Sequence, residues 1–117
     1  MTSSAPLLDR PTLLDGAMGT ALLARGLPAG ALPETWLRSR PEELARVHAE
    51  HAAAGARVIL TCTFNAAAPR LAAALPGVEL APLCRTAVAL ARRAAPGAAI
   101  AGDLGPTGLV APGGAAD

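Results

Sequence analysis

Residues 58–65, with the sequence VILTCTFN, decide the fold of this chain. The apolar and β-branched run Val58-Ile59-Leu60 is typical of a buried strand. Polar residues then follow at Thr61, Thr63 and Asn65, where the strand is predicted to end. Helical patterns lie on both sides of this strand, so its neighbours in the sheet must be reached by helical crossovers. The pattern therefore indicates an α/β protein with a parallel sheet.

The helix before this strand is predicted to begin at residue 39. Ser39 and Glu42 have the spacing of a capping box, and Pro41 lies in the first turn, where its missing N–H costs nothing. Gly55 is placed to end the helix in the left-handed conformation. The predicted inner stripe of the helix consists of Leu44, Val47, His51 and Ala54.

Outward from this unit, residues 12–14 form a short apolar run that ends at Asp15-Gly16, and residues 98–101 form a weaker third strand. Between the second and third strands, residues 82–95 favour a helix. Its predicted inner face consists of Leu83, Ala87, Leu90 and Ala94. The order strand, helix, strand, helix, strand predicts parallel pairing throughout.

Composition excludes several classes of protein. The chain has 117 residues, of which 52% are hydrophobic and 16% charged, and its net charge is +1. This balance is unlike a disordered tail or a basic nucleic-acid binder, and with 2% aromatic residues a base-stacking platform is not expected. Neither a signal peptide nor a membrane-spanning run is predicted, and two cysteines do not make a disulfide framework. We therefore expect a cytoplasmic protein with no nucleic-acid or membrane partner.

Residues 12–108 are predicted to form the folded part of the chain. Residues 1–11 contain two serines and two prolines and are expected to be a flexible lead-in. Residues 109–117 consist mainly of Gly, Ala and Pro and are expected to be a flexible tail.

Each predicted strand ends in polar or glycine-containing residues, and parallel strands place such ends on one rim. Asp15 can hold an ammonium group, and the backbone amides of Asp15 and Gly16 can hold a carboxylate because glycine permits close approach. The rim thus suits the amino-acid end of a small substrate. Ordinary turn formation explains the same residues, and both interpretations stay open at this point. The remaining rim residues are Thr61, Thr63, Asn65, Asp103 and Thr107.

Five motifs resemble the homocysteine S-methyltransferase family in order and spacing. They are LDGAMGT at residues 14–20, Pro41-Glu42 followed by Val47-His48, AGA at 54–56, ILTCTFN at 59–65 and GDLGPTG at 102–108. The resemblance spans residues 12–108. It implies the N-terminal portion, about three βα units, of a (βα)₈ barrel that is incomplete in this chain, because such a barrel needs roughly 250 residues.

The resemblance also implies a function, which is methyl transfer to the thiol of homocysteine to give methionine. Family members use zinc to bind this thiol as the more nucleophilic thiolate. By the same resemblance, Asp15 engages the substrate's amino group, the amides of Asp15 and Gly16 hold its carboxylate, and Thr63 assists. The methyl donor stays open.

Zinc ligands are not expected in this chain, because the family's zinc thiolates lie in the later half of the barrel. Cys62 and Cys84 are 22 positions apart, unlike the close pairs of structural zinc sites, and His48 and His51 are expected to be packed or half-exposed. We therefore predict neither a metal-binding nor a catalytic residue. The isolated chain is predicted to be an inactive N-terminal fragment.

Two alternatives remain. The chain is a non-catalytic half-barrel whose open sheet edges associate with a complementary chain or with a second copy. Otherwise it is an unrelated small α/β binding protein that folds by itself.

Overall fold

The computed structural model describes residues 9–109 and confirms the α/β class. Strands β1 (Val58–Leu60) and β2 (Ala99–Ala101) pair in parallel, with Ile59 opposite Ile100. The chain passes from β1 to β2 through two helices, so the predicted crossover by helix is confirmed. The helices are α1 (Met18–Leu23), α2 (Trp36–Ser39), α3 (Pro41–Ala53), α4 (Ala68–Leu71) and α5 (Leu80–Ala94), with a 3₁₀ turn at Pro33–Thr35.

The first predicted strand is reduced to a single parallel bridge between Leu14 and Val58. The backbone N–H of Asp15 donates to the Val58 carbonyl at 3.1 Å. The next rung of a parallel ladder would use the N–H of Leu60, but that N–H donates to Oδ2 of the Asp15 side chain at 3.2 Å. The carboxylate therefore takes the place of a backbone acceptor, and the ladder ends.

Helix α3 begins at Pro41, as the sequence indicates, but the predicted capping box is wrong. Ser39 is the last residue of α2, and its hydroxyl donates back to the Thr35 carbonyl at 3.2 Å. Arg40 occupies the N-cap position and provides no side-chain cap. A short helix ending immediately before α3 thus uses the serine that the capping box requires.

At the other end of α3, the prediction of a left-handed glycine is confirmed, since Gly55 has φ = +115°. The N–H of Ala56 donates to the His51 carbonyl at 3.0 Å, and the N–H of Gly55 donates to the Ala52 carbonyl at 3.1 Å. These two bonds form a Schellman motif, which satisfies carbonyls that the helix end leaves free.

The inner face of α3 differs from the predicted stripe by a small rotation. Leu44, Val47 and His48 are buried, whereas His51 is half-buried and Ala54 is exposed. Ala54 is the C-cap residue, just beyond the last helical residue, Ala53. In α5 the buried residues are Leu83, Ala87, Leu90 and Ala91, with Ala94 half-buried.

Two apolar clusters hold the fold together. The larger cluster lies among the helices and joins α1, α3 and α5 to the segment after β1 through residues such as Leu22, Leu44 and Leu90. The smaller cluster lies where Ile59 of β1 meets Ala91 at the end of α5. Because α3 and α5 also contact each other directly, the two crossovers form one layer beside the sheet.

Within residues 9–109, no helix combines the length and apolar character needed to cross a membrane. Residues 1–8 of the predicted lead-in and residues 110–117 of the predicted tail lie outside the described residues.

Leu22 and Leu23 form a matched pair for testing the larger cluster, because they are adjacent in α1 and differ in exposure. Leu22 is fully buried, and Leu23 is 50% exposed. Replacing Leu22 by Ala should lower the free energy of unfolding by about 2–5 kcal/mol, through lost burial and the cavity that remains. The L23A control should change it by about 0.5 kcal/mol or less. Urea unfolding monitored by Trp36 fluorescence measures both, and equal effects would contradict this packing.

Candidate functional site

Asp15 follows the first segment of the fold, residues 12–14, where this segment separates from β1. The two oxygens of its carboxylate have different surroundings. Oδ2 accepts the N–H of Leu60, which fixes the side chain against the strand. Oδ1 is buried and has no hydrogen-bond partner among the described residues. A buried carboxylate oxygen without a hydrogen-bond donor costs free energy, and a proton donor or a cation would stabilise it.

The backbone around Asp15 provides one amide for a ligand rather than two. The N–H of Asp15 is already bonded to the Val58 carbonyl. Gly16 is exposed, and a Cβ at this position would lie 3.1 Å from Nε2 of His51. Glycine therefore allows α3 to approach the first segment closely, and of the two amides expected to bind a carboxylate, that of Asp15 is already engaged within the protein.

Thr63 is buried and ties the end of β1 to the segment after β2. Its hydroxyl donates to the Asp103 carbonyl at 2.8 Å and lies 3.3 Å from the Asp103 N–H and 2.8 Å from the Thr61 hydroxyl. A hydroxyl has one donor and two acceptor positions, and these contacts use all three. The fold thus places the Thr63 hydroxyl in contact with Thr61 and Asp103. A ligand that binds this hydroxyl must displace one of these three hydrogen bonds.

A second network of hydrogen bonds, which the sequence analysis did not predict, begins at the buried carboxylate of Glu34. Its two oxygens accept the backbone N–H of Asn65 at 2.8 Å and the Asn65 side-chain amide at 3.2 Å. The Asn65 amide oxygen accepts Nε of Arg70 at 3.0 Å. Glu34 follows Pro33 in an irregular segment with no periodicity, so no sequence signal marked it. Its role is to hold the loop after β1 in place.

His48 and His51 lie one turn apart on α3, close to Asp15. His48 is completely buried, and neither of its ring nitrogens has a hydrogen-bond partner within residues 9–109. Nδ1 of His51 is also buried and unpartnered there. Burial lowers the pKa of His48 from its ordinary value; the Asp15 charge opposes this shift, and His51 reinforces it. The expectation of packed or half-exposed histidines is confirmed.

The cysteines and histidines do not form a zinc site. Burial raises the pKa of the Cys62 thiol, and the charges of Glu34 and Asp103 raise it further. The thiolate that zinc requires is therefore disfavoured there. Cys84 is half-buried on α5, and the described part of the chain has no group of three or more metal-binding side chains. These residues do not fit the zinc that the family resemblance implies.

The loop after β2 passes so close to the loop after β1 that only glycine fits at position 105. A Cβ on Gly105 would overlap the backbone carbonyl oxygen of Phe64 and lie 3.0 Å from its ring. At Gly102 a Cβ would meet nothing within 4 Å, although this glycine lies only three residues earlier.

Gly105→Ala should therefore lower the free energy of unfolding by about 1–3 kcal/mol, because the overlap forces the two loops apart. The matched variant Gly102→Ala should leave it unchanged or raise it by up to about 1 kcal/mol, since Ala restricts the unfolded chain. Urea titration of both variants measures the difference. A harmless G105A would show that the loops are not held in contact.

Comparison with known proteins places this geometry in a family. The family model for homocysteine S-methyltransferase matches residues 12–116. The metallated form of the homocysteine methyltransferase MmuM from Escherichia coli has a TM-score of 0.73 and 33% identity, covering 87% of this chain and 41% of that one. Its oxidized form has a TM-score of 0.74 at the same 33% identity, covering 87% of this chain and 40% of that one.

This chain thus spans about two fifths of the MmuM chain. No curated protein matches it. The family model nevertheless covers most of the sequence, and over the aligned region the matching structures share the fold and 33% of the residues with it. The chain belongs to the homocysteine S-methyltransferase family.

Proposed function

We propose that this chain forms the homocysteine-binding N-terminal portion of a (βα)₈ methyltransferase barrel. In the complete reaction the homocysteine sulfur forms a bond to a methyl carbon, the methyl group leaves its donor, and the thiol proton is lost, which gives methionine. The observation that carries this proposal is the unpartnered Oδ1 of Asp15, next to the open backbone of Gly16. Both residues belong to the first motif that resembles the family.

In this proposal Asp15 attracts the ammonium group of homocysteine, and the N–H of Gly16 binds its carboxylate. Charge-assisted hydrogen bonds of this kind are about twice as strong as neutral ones. Thr63 assists by accepting or donating one bond at the rim, in exchange for a bond it now makes within the protein. The substrate's thiol then projects beyond these residues.

The chemistry at sulfur is assigned to segments additional to the described residues. No zinc ligand is assigned to residues 9–109, because the histidines and cysteines there do not fit a metal. The three parallel segments seen here also cover fewer than half of the eight strands of a barrel. The cytoplasmic location expected from the sequence stays a prediction.

Two variants test the binding role of Asp15. Asp15→Asn keeps an oxygen for the N–H of Leu60 but removes the charge that attracts an ammonium. By calorimetry it should weaken the binding of L-homocysteine by about 10-fold or more, the loss of about 1.4 kcal/mol or more. Asp9→Asn, at an exposed position, is the control and should bind as the unaltered chain does.

The same 117-residue chain should produce no methionine from homocysteine and a methyl donor. Methionine formation, or unaltered binding of homocysteine by D15N, contradicts the proposal.

A second candidate function is a non-catalytic half-barrel that associates with another chain or with itself. The observation that favours it is the exposure of apolar side chains: in the first segment Leu13 is 59% exposed and Leu14 52%, and in the loop after β2 Leu104 is 95% exposed. The outer edge of β2 is also unpaired within the described residues. Such edges and patches are templates for association.

Sedimentation velocity over a range of concentrations tests this second candidate. Self-association should raise the sedimentation coefficient as the concentration rises, and Leu104→Glu should suppress the increase because it places a charge in the apolar surface. A monomer at all concentrations contradicts self-association.

A further inference from the structure

Behind the rim, His48 and His51 lie beside Asp15 and contribute buried polar atoms that the proposed binding of homocysteine does not use. Four atoms of these three residues are buried and lack a partner in the described part of the chain: Oδ1 of Asp15, both ring nitrogens of His48 and Nδ1 of His51. Each such atom costs about 1–3 kcal/mol when left unsatisfied. Apolar side chains of similar size would avoid that cost, so the histidines are not explained by packing.

These three side chains come together because the first segment and α3 approach closely at Gly16. His51 fills the space that a Cβ would need there, at 3.1 Å from its Nε2. Asp15 is fixed on the other side by the N–H of Leu60. His48 lies on the same helix three residues before His51 and is completely buried. Its electrostatic neighbours are Asp15, which favours the imidazolium, and His51, which opposes it.

Other charges around α3 are directed elsewhere. Helix α3 packs against α1, α2, α5 and β1. Neither α1 nor β1 contains a charged residue, and Arg25, just after α1, pairs with Glu43 and Glu50 of α3 itself. The one charged residue of α2, Arg38, is exposed. The charged residues of α5 are exposed as well: Arg85, Arg92 and Arg93. Asp15 is therefore the carboxylate whose charge acts on a protonated His48.

We propose that His48 is a positioning residue for Asp15 and controls how much negative charge the carboxylate offers to a ligand. While His48 is uncharged, the carboxylate remains free to attract the ammonium of an amino acid, an inference that rests on the proposed function. When His48 takes up a proton, the imidazolium becomes the counter-ion of Asp15 and competes with the ammonium. His51 opposes that protonation.

A reciprocal effect follows from thermodynamic linkage. If a proton on His48 weakens the binding of an ammonium at Asp15, the bound ammonium must make His48 harder to protonate by the same factor. The affinity for homocysteine then falls by up to about tenfold for each pH unit below the titration midpoint of His48. A histidine that only fills space has no such effect.

The test follows the imidazole resonances of His48 and His51 by NMR in the 117-residue chain, whose two histidines are these. Asp15→Asn should move the His48 midpoint to lower pH, because the charge that favours its proton is lost. His51→Gln should move it to higher pH and also leaves a single histidine to observe. Asp9→Asn is the control and should move neither. Trp36 fluorescence checks that each variant is folded.

L-homocysteine should shift the His48 midpoint downward, whereas 4-mercaptobutanoate, which lacks the ammonium, should not. Calorimetry at one pH above and one pH below the His48 midpoint measured by NMR should show weaker homocysteine binding at the lower pH. An unchanged midpoint in D15N, or in H51Q where D15N does not fold, overturns the proposal, and so does equal affinity at both pH values. If the two variants shift His48 as expected but homocysteine does not bind at either pH, the control of Asp15 stands and the proposed function fails.

Discussion

The structure depends on the central position of β1, which is bonded on both of its edges. On one side Val58 bridges Leu14, and on the other side β1 pairs along its length with β2. Because all three segments run in parallel, their carboxyl ends lie at the same rim, and each connection must return on the outside of the sheet. Helices α3 and α5 provide the two returns and bury their apolar faces against each other.

Two kinds of polar group lie at the rim. Thr63 and Glu34 are buried, and their hydroxyl and carboxylate oxygens are fully engaged by neighbouring backbone and side chains. They hold the loops after β1 and β2 in fixed positions, as satisfied buried networks do. Asp15 and His48 are buried without partners for several of their atoms. Unmet buried polar groups are costly, and their concentration at one point of the rim distinguishes the proposed binding residues from the residues that support the loops.

The open sheet is the reason that two functions are proposed for one chain. A barrel removes its edges by closing on itself, whereas the described segments leave edges and the leucines beside them in contact with solvent. Additional barrel strands would cover the same type of surface that a partner chain would cover. The two proposed functions, binding of an amino acid and association through the sheet, are therefore compatible, because Asp15 lies at the rim and the edges lie along the strands.

The sequence by itself determined the elements whose pattern is local and regular. The run at Val58–Leu60, the helix from Pro41 to Gly55 and the helix of α5 were predicted close to their observed bounds, because apolar periodicity and end signals act within a few residues. The family motifs identified Asp15 and Gly16 as site candidates. Only the tertiary structure decided the rest. Asp15 ends the first ladder with its side chain, α2 takes Ser39 from the expected cap, and Glu34 reaches Asn65 across 31 positions of sequence. Each is a long-range or competing contact, and the burial of His48 beside Asp15 likewise arises only when α3 packs against the first segment.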